Sequence, residues 1–164
     1  KPLNTILAMQ EKFGSSAIIG AGTVTKVSEV NNLSGLGCQM IVSPNTDKDV
    51  IKATKDKGML SFPGVLTPSE CFSAINSGAD ALKIFPAFKL GIDGFKAMKA
   101  VLPSDVKTYG VGGINENHFH EWLLAGLTGF GIGSNLFHPS MNDDDIKTTA
   151  EKFVIEYDSW FAQR

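Results

Sequence analysis

Short apolar runs alternate with amphipathic stretches along the chain, and most junctions are marked by glycine or proline. The apolar runs fall at residues 17–20, 39–43, 59–62, 81–85, 106–109 and 128–132. Runs of this length, bounded by breakers, suit strands buried on both faces. Helical patterns fill the gaps at residues 4–13, 27–36, 45–57, 67–78, 91–101, 115–124 and 142–160. The order is a helix, then strand and helix six times over. Parallel neighbours need a crossover of a dozen or more residues, usually a helix, so this spacing calls for an α/β fold with a parallel sheet. With 164 residues and no linker or low-complexity stretch, residues 1–164 read as a single domain.

The helix ends are written in local chemistry. Gly14, Gly37, Gly58, Gly78 and Gly126 stand where helices stop. Thr67-Pro68-Ser69-Glu70 combines an N-cap threonine, a first-turn proline and a third-position glutamate. Glu70 is therefore expected to cap, not to catalyse. Asn45 or Thr46 is positioned to cap the 45–57 helix, and Asn115 the 115–124 helix. Asp143, Asp144 and Asp145 suit the positive end of the last helix dipole.

Two closures fit such a sheet, an open doubly wound sheet or a barrel. The loops after the strands favour the barrel. They read Gly20-Ala21-Gly22-Thr23, Ser43-Pro44-Asn45, Phe62-Pro63-Gly64, Lys83-Ile84-Phe85-Pro86, Val111-Gly112-Gly113 and Gly133-Ser134. Special residues after every strand are the mark of the C-terminal face of a (β/α)8 barrel. Such barrels also hold phosphate after strands seven and eight, where Gly112-Gly113 and Gly133-Ser134 fall if the last strand is the eighth. Six strands are two short of eight, the length is below the roughly 200 residues of small barrels, and the chain opens in a helix. The expected fold is thus a (β/α)8 TIM barrel lacking about its first two strands. A dinucleotide fold is a weak alternative. Gly20-x-Gly22 has Thr25 where a third glycine is needed, and no acidic residue ends the next strand to hold a ribose.

Lys83 is the chemical anomaly. It sits inside the apolar run Ala81-Leu82-Lys83-Ile84-Phe85, stopped by Pro86. An amine there must be solvated, paired or neutral. One reading is a strand-end lysine reaching water along its methylene stem. The other is an amine kept partly uncharged by a dry pocket, as a Schiff-base nucleophile requires.

Bulk properties exclude several classes. Net charge is −2 with acids and bases interspersed, which argues against a nucleic-acid or membrane surface as partner. No apolar run reaches membrane-spanning length, and Lys1-Pro2-Leu3-Asn4 is not a signal peptide. Cys38 and Cys71 stand apart and read as reduced, packed thiols of a cytoplasmic protein. His118, His120 and His138 make no metal signature, so neither a metal nor a cofactor is expected.

Six motifs then stand in order: Ile19-Gly20-Ala21-Gly22-Thr23-Val24, Val42-Ser43-Pro44-Asn45, Pro63-Gly64-Val65, Leu82-Lys83-Ile84-Phe85-Pro86, Val111-Gly112-Gly113 and Gly131-Ile132-Gly133-Ser134. Together, over essentially the whole chain, they resemble the class I aldolases that cleave 2-keto-3-deoxy-6-phospho sugar acids. The resemblance implies a (β/α)8 barrel, a homotrimer, and cleavage of a small phosphorylated keto acid to pyruvate and glyceraldehyde 3-phosphate. It implies Lys83 as the imine-forming residue and Thr23 as the partner of the pyruvate carboxylate. Pro44 and Phe85 become apolar walls, and Gly112, Gly113, Gly133 and Ser134 the phosphate site. Read alone, Thr23 and Ser134 are equally helix caps and Pro44 a strand stop. Among these aldolases the gluconate type typically carries threonine where Val111 stands and glycine where Asn45 stands. Both positions therefore look like the galactonate type, and Val111 cannot hydrogen-bond a substrate hydroxyl. The gluconate type, which also takes 4-hydroxy-2-oxoglutarate, is the alternative.

One departure qualifies the resemblance. It implies a glutamate acid–base on strand two and an arginine near the front, and neither has a counterpart here. Glu29, Asp47 and Glu70 fall in early helix turns. The segment carrying that pair is expected to precede residue 1, in a truncated or incompletely traced barrel. A phosphate-binding barrel without imine chemistry and a non-catalytic fragment remain rival readings.

Overall fold

The computed structural model describes residues 2–162. Its elements, in order, are α1 (Pro2–Phe13), β1 (Gly20–Gly22), α2 (Val27–Ser34), β2 (Met40–Val42), α3 (Lys48–Asp56), β3 (Leu60–Phe62) and β4 (Gly64–Val65). Then come α4 (Pro68–Asn76), β5 (Leu82–Ile84), α5 (Ala87–Lys99), β6 (Thr108–Val111), α6 (Phe119–Leu124), β7 (Gly129–Gly131) and α7 (Asp143–Ala162). A 3-10 turn, Glu116–His118, leads into α6.

Every strand pairing is parallel, in the orders β1-β2-β3 and β4-β5-β6-β7. β3 and β4 are one run divided at Pro63, which has no N–H to give a ladder. The first half pairs back to β2 and the second forward to β5. The carbonyls of Ser61 and Pro63 accept from Asp80 N (3.0 Å) and Lys83 N (2.9 Å), so the arc continues across the break. The six expected strands are therefore present, with the third split.

The helices gather on one face. Ile41 joins Val30, Leu33 and Val50 in one buried cluster, with Ile6 packed against it. Val65, Leu82 and Ile84 join Cys71, Ala74, Phe95, Met98, Trp122 and Phe153 in the other. Strand alternation turns the next residues the other way. Met40, Val42, Leu60, Phe62, Tyr109 and Val111 stay half-buried on the face without helices.

Local expectations meet mixed outcomes. Thr67 accepts from Glu70 N (3.3 Å), and Glu70 accepts from Leu66 N and Thr67 N (both 2.8 Å), so Glu70 caps α4 as expected. The Leu66 amide, chiefly, holds its carboxyl below the usual range. Asn142 accepts from Asp145 N (2.9 Å) at the start of α7. Three expectations are corrected. α3 is capped by Asp47, which accepts from Asp49 N and Val50 N, not by Asn45 or Thr46. Thr46 is already engaged, donating to the Gly64 carbonyl (2.8 Å). β1 is Gly20–Gly22, not residues 17–20. Ala17 N still bonds the Phe13 carbonyl (2.8 Å) and Ile18 is 57 % exposed, so that apolar run is an approach to the strand. α5 begins at Ala87 rather than residue 91, with Gly91 at φ 68° interrupting it.

At the opposite end of the sheet, Asp80 accepts from Lys55 Nζ and Ser61 N (both 2.7 Å), tying α3, β3 and the approach to β5. Cys38 and Cys71 are free and buried, and burial with the neighbouring Glu70 charge pushes the Cys71 thiol up to about 11. Among the described residues no helix is long and apolar enough to cross a membrane, and no cluster of His, Cys, Asp or Glu could hold a metal ion.

Candidate active site

Because all strands run one way, the loops that follow them share one rim. Lys83 lies at the centre of β5, in register with Gly64 of β4 and Tyr109 of β6. Leu82 and Ile84 enter the helix-side core, so Lys83 faces the other way. It is 9 % exposed, and among the described residues no carboxylate pairs with it. Burial lowers its pKa from the ordinary 10.5. Its Nζ sits 4.3 Å from the centroid of the Phe85 ring. A ring face attracts a cation, so Phe85 opposes that lowering while fixing where the amine rests. Of the two sequence readings, the solvated strand-end lysine fits this burial less well.

Phe85 opens onto a cavity of about 210 Å³ that brings together Phe85, Val111, Gly112, Gly113, Gly133 and Ser134. Gly112 and Gly113 follow β6 with φ of 89° and 73°, backbone that L side chains rarely adopt. A Cβ at Gly113 would meet the Phe88 Cβ at 2.6 Å. Main-chain groups therefore form this wall, and paired glycine turns of that kind suit an anion. Val111 packs over Gly131, where an added Cβ would meet its Cγ2 at 2.6 Å. Among the described residues no charged side chain lines the cavity.

The two remaining candidates lie apart from it. Pro44 approaches the strand beside Lys83, and a Cβ on Gly64 would lie 2.2 Å from the Pro44 carbonyl oxygen. Thr23, at φ 61°, is exposed and lines a second cavity of about 230 Å³ with Val24, Glu29 and Asn32. Thr23 does not cap α2, whose N-cap position is Lys26; Glu29 takes the Thr25 and Lys26 amides (2.9 and 3.2 Å). A larger cavity of about 360 Å³ lies between β7 and α7, lined by Phe119, Phe130, Phe153 and Tyr157. Apolar walls dominate it and none of the candidate residues lines it, whereas six of them line the smaller glycine cavity; Lys83 lines neither.

A family profile described as KDPG and KHG aldolase matches residues 3–151. The chain belongs to the KDPG and KHG aldolase family. It is 41 % identical over 162 residues to the 2-dehydro-3-deoxy-6-phosphogalactonate aldolase of Escherichia coli (strain K12), covering 95 % of this chain and 79 % of that relative. A solved structure titled as native KDPGal superposes with a TM-score of 0.94 at 40 % identity, covering 96 % of this chain and 77 % of that one. A KDPG aldolase from Legionella pneumophila, solved with pyruvate captured as a covalent carbinolamine intermediate, gives a TM-score of 0.75 at 27 % identity, covering 94 % and 73 %. These aldolase structures are of the TIM-barrel type, an α/β fold with a parallel sheet like the one seen here.

Two residues near the candidate site take places in the structure that the sequence did not single out. Gly64 reads in the sequence as part of the loop after the third strand, but it forms β4 beside Lys83. Asn135 lines the glycine cavity, and its Nδ2 donates to the Ile114 carbonyl at 3.1 Å. Its position directly after Gly133-Ser134 was the available signal.

Proposed function

We propose that this chain is a class I, Schiff-base aldolase that cleaves 2-dehydro-3-deoxy-6-phosphogalactonate to pyruvate and glyceraldehyde 3-phosphate. The observation that carries the reading is the buried Lys83 amine, which no carboxylate pairs among the described residues, beside a ring that opens on a glycine-walled cavity. The neutral amine adds to the C2 ketone of the substrate, and loss of water leaves an imine. The protonated imine draws the electron pair of the C3–C4 bond as that bond breaks, while the C4 hydroxyl gives up its proton and becomes the carbonyl of the departing phosphorylated aldehyde, leaving an enamine. Protonation at C3 and hydrolysis of the imine return pyruvate and free Lys83. Desolvation serves the first step by enlarging the neutral fraction of the amine.

In this reading Phe85 and Pro44 wall the pyruvyl unit, Thr23 bonds its carboxylate, and Gly112, Gly113, Gly133 and Ser134 hold the phosphate. Among the described residues no carboxylate lines the cavity, and the proton transfers at the C4 hydroxyl and at C3 are assigned to none of them. Val111 in the cavity wall and the 41 % identity to the E. coli galactonate-type enzyme both support the galactonate epimer. The same reading makes residues 1–164 one domain, an arc of a (β/α)8 barrel. Parallel strands, helices on one face and chemistry at one rim support it.

The test is cleavage of the two C4 epimers, followed as pyruvate release. The galactonate epimer should give the higher kcat/KM, and Lys83→Ala should abolish both activities. A clear preference for the gluconate epimer overturns the specificity, and turnover by Lys83→Ala overturns the mechanism.

A further inference from the structure

We propose that Asn135 is a positioning residue that holds the two glycine turns of the phosphate cavity at a fixed spacing; the inference rests on the phosphate role proposed above. The β6–β7 ladder ends at the pair Val111 and Gly131. Beyond it the chains part into the turn at Gly112-Gly113 and the turn at Gly133-Ser134. Each turn is stabilised separately, by Phe88 N to the Gly112 carbonyl (3.2 Å) and by Leu136 N to the Gly133 carbonyl (2.9 Å). Among the described residues, the hydrogen bond from Asn135 Nδ2 to the Ile114 carbonyl is what joins one turn to the other. Its acceptor is anchored, because the Ile114 side chain is 5 % exposed and packs against Gly110.

The spacing matters here because of what the cavity lacks. Among the described residues no Lys, Arg or His lines it. A dianion in the cavity relies on main-chain N–H groups and the Ser134 hydroxyl, and such donors act together only when held at the right separation. A strong point charge would tolerate a looser wall. Removing the bridge therefore weakens recognition of the phosphoryl group and leaves chemistry at Lys83 intact.

The experiment compares Asn135→Ala and Asn135→Asp with the wild-type chain in the condensation direction, with pyruvate and either glyceraldehyde 3-phosphate or glyceraldehyde as acceptor. Asn135→Ala should raise KM for the phosphorylated acceptor on the order of fivefold, the effect of one neutral hydrogen bond. Asn135→Asp keeps the shape, loses the donor and adds a negative charge, so its effect should be larger. Neither variant should change kinetics with glyceraldehyde or the rate at which borohydride traps pyruvate on the enzyme. Calorimetric binding of inorganic phosphate should weaken in the same order. Unchanged phosphate affinity and unchanged KM in both variants overturn the proposal. So does a parallel loss with both acceptors and in trapping, the sign of a purely structural role. A wild-type chain indifferent to phosphate on the acceptor removes the phosphate reading and this inference with it.

Discussion

Gly64→Ala is the sharpest perturbation the structure offers near Lys83. Gly64 sits between the Lys83 strand and the Pro44 turn. The added Cβ lies 2.2 Å from the Pro44 carbonyl oxygen, 2.4 Å from its carbon and 3.0 Å from Asn45 N. All three atoms are main chain, so no rotamer change relieves the contact. The turn must retreat by about 0.8 Å to restore 3.0 Å at the oxygen. Overpacking of this kind costs about 1–3 kcal/mol. The Thr46 bond to the Gly64 carbonyl, 2.8 Å long, is strained or lost at about 1 kcal/mol more. The total of about 2–4 kcal/mol converts, at about 2–4 °C per kcal/mol for a chain of this size, to a Tm lower by about 4–16 °C. Circular dichroism melting measures it. Gly22→Ala is the control, since nothing lies within 4 Å of its Cβ. If Pro44 walls the pyruvyl unit, Gly64→Ala also raises KM for pyruvate. Equal melting of Gly64→Ala and Gly22→Ala would refute the packing argument.

Further outcomes follow from charge and burial. Lys83→Met should raise Tm at neutral pH while removing activity, since it deletes a poorly solvated ammonium. The Lys83 pKa is lower folded than unfolded, so the destabilisation is fully present below the folded pKa; the gain should shrink as pH rises towards 10.5. Glu70 has the opposite sign. Its folded pKa lies below 4.5, so its stabilisation is present above 4.5 and is lost as pH falls through the folded value. The Tm gap between wild type and Glu70→Gln should close in acid. Thr108→Val should keep or raise Tm, because the buried Thr108 hydroxyl has no hydrogen-bond partner among the described residues.

Much of this was legible in the residues. The alternation of runs gave the parallel order, and Thr67-Pro68-Glu70 gave a helix start to the residue. Lys83 stood out because an ammonium conflicts with its apolar neighbours. The misplaced first strand has a plain cause: backbone pairing does not need apolar side chains. Gly20–Gly22 reads as loop, yet a Cβ at Gly20 would lie 2.4 Å from the Met40 carbonyl oxygen, so the close strand approach itself demands glycine. The run at residues 17–19 is apolar but belongs partly to the exit from α1. The α3 cap moved from Asn45 or Thr46 to Asp47, with the Thr46 hydroxyl claimed by a long-range bond to Gly64. Asn135 went unnoticed for the same reason, since its bond spans 21 residues. Side chains that act across the fold leave no local pattern.

The proposed chemistry requires Lys83 to form an imine with pyruvate. Borohydride reduction in the presence of pyruvate, followed by intact mass and peptide mapping, tests it most directly. One carboxyethyl group is expected on Lys83 and none on Lys83→Ala, with a trapping rate that rises with pH and levels off below the ordinary lysine value of 10.5. No adduct, or an adduct on another lysine, would contradict it.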